Sequence, residues 1–509
     1  MQFNVMEYLE HTVRRVPDKI AYANDEFGLT FQEVYGQSRA VGTFLNSLNL
    51  QKQPIVVFMN RSPKAIAAYY GVIYSGNFYV PLDDEMPRNR IETIIRKINP
   101  SAIICDESTK QTADAIGFQG GIHLFDDLIQ GPVDDGALTR IRLSALDTDP
   151  VYVVFTSGST GVPKGIIANH RSVIDYIENL SDVLSLSGDT VFGNQTPLYL
   201  DACFKELFPT LKFGATTYII PKSLFMFPLK LVEFLNEHRI NTVCWVVSAL
   251  TMISSFKVLD KLVPQYLHTV AFGSEVFPVK QFNLWRSALP KANFYNLYGP
   301  TEATGMSCYY KVERALGEQE ILPVGRPFRN TEILLLGPDD RQVAPGEVGE
   351  ICIRGTCLTL GYYGDFEKTS EVFVQNPLNG LYPELIYRTG DLGKYNEHGE
   401  LMFVSRKDYQ IKHMGYRIEL GEIEANVNRL EGIQSACCVY DKTTEKIVLF
   451  FVGDTDARSI VKGLKLLLPK YMIPNRIEPL DSMPLTTNGK IDRVYLNEAF
   501  VKKGSYAHG

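Results

Sequence analysis

An α/β fold of more than one domain is predicted by three features of the sequence. Residues 1 to 404 alternate apolar strand-like and helical segments, and residues 409 to 509 read as a smaller α+β unit. The short apolar run Tyr152-Val-Val-Phe155 leads directly into the glycine-rich stretch Thr156-Ser-Gly-Ser-Thr-Gly-Val-Pro-Lys-Gly165. The loop after a buried strand is where α/β folds place ligands. The 509 residues are 45% hydrophobic and 21% charged, enough for a sizeable core and too long a chain for a single one. The polar tetrapeptide Ser405-Arg-Lys-Asp408 marks the boundary between the two parts.

Residues 156 to 165 suit an anion. Glycines let backbone N–H groups approach it closely, Ser157, Ser159 and Thr160 add hydroxyls, and Lys164 adds a point charge. The stretch is not a Walker A loop, because Pro163 precedes Lys164 and Gly165 follows it. The plain alternative is a flexible Ser/Gly connection. Composition disfavours other classes. A formal net charge of −7 argues against nonspecific nucleic-acid binding, which needs dense Lys and Arg. No run approaches the ~18 apolar residues of a membrane span. Eight cysteines show no C-x-x-C pair and no secretory leader is read, so reduced thiols and a cytoplasmic protein are expected; a monomer is expected as well. Cys437-Cys438 is expected in a core strand.

Further segments follow in a fixed order: Tyr74-Ser-Gly-Asn-Phe-Tyr-Val-Pro-Leu-Asp83, Phe272-Gly-Ser-Glu275, Asn296-Leu-Tyr-Gly-Pro-Thr-Glu302, Gly346-Glu-Val-Gly-Glu350 with Gly361-Tyr362, Tyr387-Arg-Thr-Gly-Asp391, Arg406-Lys-Asp408, Lys412 to Glu424, and Asn488-Gly-Lys490. On these motifs, spanning nearly the whole chain, the protein resembles the adenylate-forming superfamily. That group comprises acyl-CoA ligases, luciferases and the amino-acid adenylation domains of nonribosomal peptide synthesis. In length and in motifs such as Asn296 to Glu302 it is similar to stand-alone D-alanine–carrier protein ligases.

The resemblance implies a large multi-sheet N-terminal adenylating domain (1–404), a hinge (405–408) assigned to Asp408, and a small mobile α+β C-terminal domain (409–509). An ordinary charged linker is the alternative to the hinge. The implied chemistry is attack of a carboxylate on the α-phosphate of ATP, giving an acyl-AMP and pyrophosphate, which calls for positioning and charge neutralisation. Thr156, Ser157, Gly158, Ser159, Thr160, Gly161 and Lys164 would hold the phosphates, and Glu302 would bind Mg²⁺ as a hard oxygen donor. Thr301 would meet the α-phosphate. Gly273, Ser274, Glu275, Asn296, Tyr298 and Gly299 would surround the base, with Tyr298 stacked on adenine. Asp391 would accept the ribose hydroxyls, with Arg406 nearby. Asp391 as a turn cap and Tyr298 as core are the structural alternatives. Lys490 would reach the substrate carboxylate and the developing phosphoryl charge.

Substrate class is read from Leu200-Asp201-Ala-Cys-Phe-Lys-Glu206. By resemblance, Asp201 would pair with an α-ammonium, since a buried unpaired carboxylate is expensive; a helix N-cap and an i,i+4 pair with Lys205 stay open. The implied pocket also includes Ala202, Lys205, Trp245, Val270, Phe272, Leu297, Gly305, Met306 and Lys490. Large Trp245 and Phe272 favour a small substrate side chain, whereas Lys205 would suit an acidic one. Lys412 and Gly415 would line a tunnel for the phosphopantetheine arm of a separate carrier protein, an arm that coenzyme A shares. An acyl- or aryl-CoA ligase and a noncatalytic nucleotide-binding protein are the alternatives. If Lys490 closes the adenylating site, Lys490→Ala cripples amino-acid adenylation yet leaves transfer from preformed adenylate largely intact; equal loss of both half-reactions would overturn that role.

Overall fold

The computed structural model describes residues 2–158, 162–317, 320–485 and 491–502. The described residues fall into two compact units. One comprises residues up to 83 with 98–154 and 165–407, and the other comprises 84–97, 155–164 and the residues from 408 onward. The second unit thus takes in two segments that the sequence reading places in the large N-terminal domain.

The first unit is sheet-built. Its nine-stranded sheet runs, edge to edge, Arg326–Pro327, Cys308–Lys311, Asn293–Tyr298, Thr269–Gly273, Thr242–Val246, Val191–Asn194, Thr216–Ile219, Ile20–Ala23 and Gly28–Thr30. The six inner strands from Asn293–Tyr298 to Ile20–Ala23 are parallel, and antiparallel strands close both ends. Parallel strands need both faces covered, and they have it. One face packs with Tyr176, Cys203, Phe204 and Leu207; the other packs with Phe277, Phe282 and Trp285. A second, six-stranded sheet carries the predicted strand, observed as Pro150–Thr156, and the next strand begins at Lys164. A third, five-stranded antiparallel sheet is built on the long strand Leu385–Tyr395, which pairs with Leu401–Arg406.

The motif after Tyr74 is a helix stop. Helix Pro63–Tyr74 ends and Gly76 turns the chain at φ +72° into strand Phe78–Leu82, a left-handed conformation that glycine adopts without cost.

The second unit contains the hairpin Gln410–His413 and Tyr416–Glu419, helix Leu420–Val427, and a sheet of Ile433–Asp441, Lys446–Gly453 and Arg476–Pro479. The hairpin turn is Met414-Gly415, at φ +52° and +80°, the two positive values that a tight two-residue connection requires. Helix Ala457–Leu467 packs Ile460 and Leu464 onto Ile418, Ile423 and Phe451. Cys437 and Cys438 are buried in the first strand of this sheet, as expected, and all eight cysteines are buried free thiols. No helix among the described residues is long and apolar enough to cross a membrane.

A buried ion pair ties this unit together. Arg90 Nη1 lies 2.6 Å from Glu422 Oε1, with side chains 5% and 1% exposed. Removing one partner of such a pair strands the other charge in the interior. Arg90→Ala is therefore expected to destabilise the second unit by about 3 kcal/mol, read as a lower urea midpoint; an unchanged midpoint would show that the pair does not hold the unit.

Candidate active site

Several sequence motifs of the first unit meet at the end of strand Asn293–Tyr298: Tyr298 bonds Asp391, Glu302 bonds Tyr362, and Gly273 lies against Leu297. After Tyr298 the chain loops through 299–307 and returns as Cys308–Lys311, with Tyr298 opposite Cys308. The loop closes tightly: Ser307 N–H donates to Tyr298 O at 2.7 Å, and a Cβ on Gly299 would lie 2.5 Å from Met306 Cα. Only glycine fits position 299. Thr301–Ala303 form one 3₁₀ turn, and Thr304 and Gly305 follow at φ +55° and +92°.

Each acidic group here has a different partner. Glu302 is fully buried, and its Oε1 accepts from Tyr362 Oη at 2.9 Å. Asp391, 3% exposed, accepts from Tyr298 Oη at 2.6 Å on Oδ2 and from Arg406 on Oδ1. Arg406 also donates to Thr389 O at 3.2 Å. Tyr298, Asp391 and Arg406 are thus brought together. A carboxylate oxygen has a second lone pair, so Asp391 keeps acceptor capacity.

Asp201 opens a 3₁₀ turn, Asp201–Cys203, before helix Phe204–Phe213. The helix N-cap is Cys203, so the capping alternative for Asp201 does not apply. Desolvation pushes its carboxyl above the usual carboxylate range, opposed by a hydrogen bond from the Thr301 side chain, the Lys205 charge and the Ala202 amide, and reinforced by Glu302. Lys205 is 3% exposed. Its neighbour Glu206 is fully buried, accepts from Asn194 Nδ2 at 3.0 Å, and has Oε1 without a hydrogen-bond partner among the described residues. Burial pushes the Glu206 carboxyl up to about 8, against the pull of Lys205, Asn194 and Arg61.

Three expected pocket residues lie on the wrong face. Side chains alternate along a strand. Trp245, Val270 and Phe272 therefore pack with Phe277, Phe282 and Trp285, and Trp245 Nε1 donates to Gly193 O at 2.7 Å. The opposite face presents Cys244, Ala271 and Leu297, which pack with Tyr176, Cys203 and Met306. Asp201 belongs to that side: a Cβ on Gly305 would lie 3.9 Å from Asp201 Oδ2 and 3.8 Å from Tyr176 Cζ. A one-residue slip in reading a strand exchanges the two faces, so Ala271 and Gly273 stand where Val270 and Phe272 were expected. Strands Thr269–Gly273 and Asn293–Tyr298 approach closely at Gly273, where a Cβ would be 2.4 Å from Leu297 O. Beyond it, Ser274 is at φ +70°, Glu275 Oε2 accepts from Ser248 N–H at 2.7 Å, and Asn296 Nδ2 donates to Pro323 O at 2.8 Å.

The glycine-rich loop belongs to the second unit. Ser157 Oγ donates to Arg417 O at 2.8 Å and accepts from Glu419 N–H at 3.2 Å. Gly158 N–H donates to Glu422 Oε2 at 3.2 Å, and Lys164 Nζ lies 3.9 Å from Glu419 Oε1. An amide and an ammonium of the loop thus engage anionic oxygens, the chemistry the loop was expected to offer a phosphate. A Cβ on Gly158 would lie 2.0 Å from Val162 O. Thr156 Oγ1 is buried without a hydrogen-bond partner among the described residues. Asp408 Oδ1 accepts from Gln410 N–H at 3.1 Å, and Lys412 and Gly415 lie in the hairpin. Ser159, Thr160, Gly161 and Lys490 lie outside the described residues.

Two family descriptions match the chain: AMP-binding enzyme over residues 9–363, and AMP-binding enzyme C-terminal domain over 422–490. The chain belongs to the AMP-binding enzyme family. It is an AMP-forming ligase with a large N-terminal and a smaller C-terminal domain of mixed α/β structure. This AMP-binding enzyme is 31% identical to D-alanine–D-alanyl carrier protein ligase of Bacillus licheniformis, over 97% of the chain and 99% of that protein. It is also 30% identical to bacitracin synthase 1 of Bacillus licheniformis, over 97% of the chain and 9% of that much longer protein. Among solved structures, NpsA-ThdA, an artificially fused adenylation–PCP di-domain of nonribosomal peptide synthesis from Klebsiella oxytoca, shares its fold with a TM-score of 0.80 at 22% identity, covering 95% of each chain.

Ala271 and Tyr176 carry no motif signal of their own, and Glu206 and Tyr362 stand within quoted motifs that gave them no role. Strand alternation counted from Leu297 would have indicated Ala271; Tyr176 comes from helix His170–Leu184, distant in sequence from Asp201 and Gly305. Glu206 also sets a pH dependence. The unfolded chain releases this proton near 4.5, whereas the folded enzyme holds it to about 8, so ionising it in place costs stability. Urea stability is expected to fall by a few kcal/mol as pH rises from 4.5 to about 8, and Glu206→Gln to flatten that fall; an equal fall in the variant would sink the assignment.

Proposed function

We propose that this ligase uses ATP to activate an amino acid as its aminoacyl-AMP, releasing pyrophosphate, and passes the aminoacyl group to the phosphopantetheine thiol of a separate carrier protein. The observation that carries the reading is Asp201, a desolvated carboxyl close to Gly305 whose shift Thr301 and the Lys205 charge oppose. A partly buried, desolvated carboxylate gains from a cationic partner, and an α-ammonium supplies one. The names of the relatives, a carrier protein ligase and a bacitracin synthase, support the same substrate class and acceptor.

Tyr298, Asp391 and Arg406 would hold the nucleoside, and the amide of Gly158 with Lys164 would meet its phosphates. Ser159, Thr160 and Gly161 belong to the same phosphate role. Glu302 fits Mg²⁺: it is a hard oxygen donor, and the single carboxylate usual for Mg²⁺ leaves its other positions to phosphates and water. No group of three His, Cys, Asp or Glu among the described residues could hold a metal by itself, which suits an ion that arrives with its nucleotide. Bound Mg²⁺ would neutralise phosphate charge. Lys490 would meet the substrate carboxylate, Asp408 would act as the hinge about which the small domain turns, and Lys412 with Gly415 would line the path of the phosphopantetheine arm.

A small amino acid remains the first substrate, now without the bulk of Trp245 and Phe272 to support it. An acidic amino acid is the second reading, favoured by the buried Lys205, whose ammonium would suit an acidic side chain. ATP–pyrophosphate exchange against L- and D-amino acids, short fatty acids and aromatic acids separates these. Strong exchange with one amino acid is expected, and Asp201→Ala is expected to cut it at least about 100-fold while nucleotide binding persists. Exchange confined to simple carboxylic acids would transfer the enzyme to the CoA-ligase class, and silence across the panel would indicate a noncatalytic nucleotide-binding protein.

A further inference from the structure

We propose that the Tyr176 hydroxyl is a second acceptor for the substrate α-ammonium, acting beside Asp201. This inference rests on the amino-acid reading above. Tyr176 stands on helix His170–Leu184, is 2% exposed, and carries a buried hydroxyl with no hydrogen-bond partner among the described residues. A buried hydroxyl left unpaired is costly, and its presence calls for a partner other than the described residues.

The position of that hydroxyl is set by Gly305. A Cβ placed on Gly305 would stand 3.9 Å from Tyr176 Oη and 3.9 Å from Asp201 Oδ2, so hydroxyl and carboxylate flank the same small space. Glycine there, at φ +92°, keeps it open. Thr301, the Lys205 charge and the Ala202 amide already act on the Asp201 carboxyl. A primary ammonium has three donors, and enclosing it away from water demands more acceptors than one carboxylate so engaged. A phenolic oxygen across the gap is suited to take another. Burial, with the charges of Asp201 and Glu206, raises the Tyr176 phenol well above its usual range, so it stays neutral and remains a hydrogen-bonding hydroxyl.

The same hydroxyl would act differently if it met the substrate's side chain. The test therefore compares an amino acid with its 2-hydroxy-acid analogue, which keeps carboxylate and side chain and replaces only the ammonium. Pyrophosphate exchange is measured for the full chain and for Tyr176→Phe, which removes one oxygen and almost no volume. The variant is expected to raise KM for the amino acid about tenfold and to narrow the preference over the hydroxy acid by the same factor. KM for ATP should hold, and thermal stability should not fall. An equal loss for both substrates would place the hydroxyl on another group and overturn the proposal, as would an unchanged preference. A wild-type enzyme that activates no amino acid would fail the underlying reading itself, a result distinct from either.

Discussion

Compensation of buried carboxylates is the constraint on which the candidate site depends. An ionised carboxylate withdrawn from water must find charge, hydrogen bonds or a proton, and the chain supplies each in a different place. Asp391 receives Arg406 and the Tyr298 hydroxyl; Glu302 receives the Tyr362 hydroxyl; Glu422 receives Arg90; Glu206 keeps a proton to about 8. Asp201 differs from these: it is only partly buried, and Thr301, the Lys205 charge and the Ala202 amide act on it. A carboxyl compensated in this way gains most from an incoming cation.

Backbone geometry delivers these groups. The strand Asn293–Tyr298 is parallel within the nine-stranded sheet, and its C-terminal end turns through glycines into an antiparallel return. That reversal places Thr301, Glu302 and Gly305 in one short loop. Tyr298, at the strand's last position, joins through Asp391 to the strand Leu385–Tyr395 of a different sheet. Two sheets of the first unit are therefore linked by the residues expected to hold a nucleoside, and a substitution at Asp391 would disturb packing as well as binding.

The motifs were legible because their chemistry is local. Glycines at close approaches, a Thr-Glu pair in a tight turn and a lysine after a glycine-rich loop keep their meaning whatever lies around them, and the predicted strand before that loop is present as Pro150–Thr156. The pocket wall was not legible in the same way. Trp245 and Phe272 have the size of wall residues, yet strand period two sends them to the other face, where Phe277, Phe282 and Trp285 bury them. Composition at a position says nothing about which face it takes, and a slip of one residue reverses it.

The amino-acid sequence alone determined the class of fold and the order of the motifs, because hydrophobic periodicity and glycine placement act over a few residues, and it indicated the kind of reaction through the family resemblance those motifs carry. Tertiary structure alone decided which side chains surround Asp201, which carboxyl keeps its proton, and that a tyrosine with no motif around it brings a buried hydroxyl close to Gly305. Those properties arise where segments far apart in sequence exclude water together. Desolvation and hydrogen-bond partnership are properties of that enclosure, and no single segment carries them.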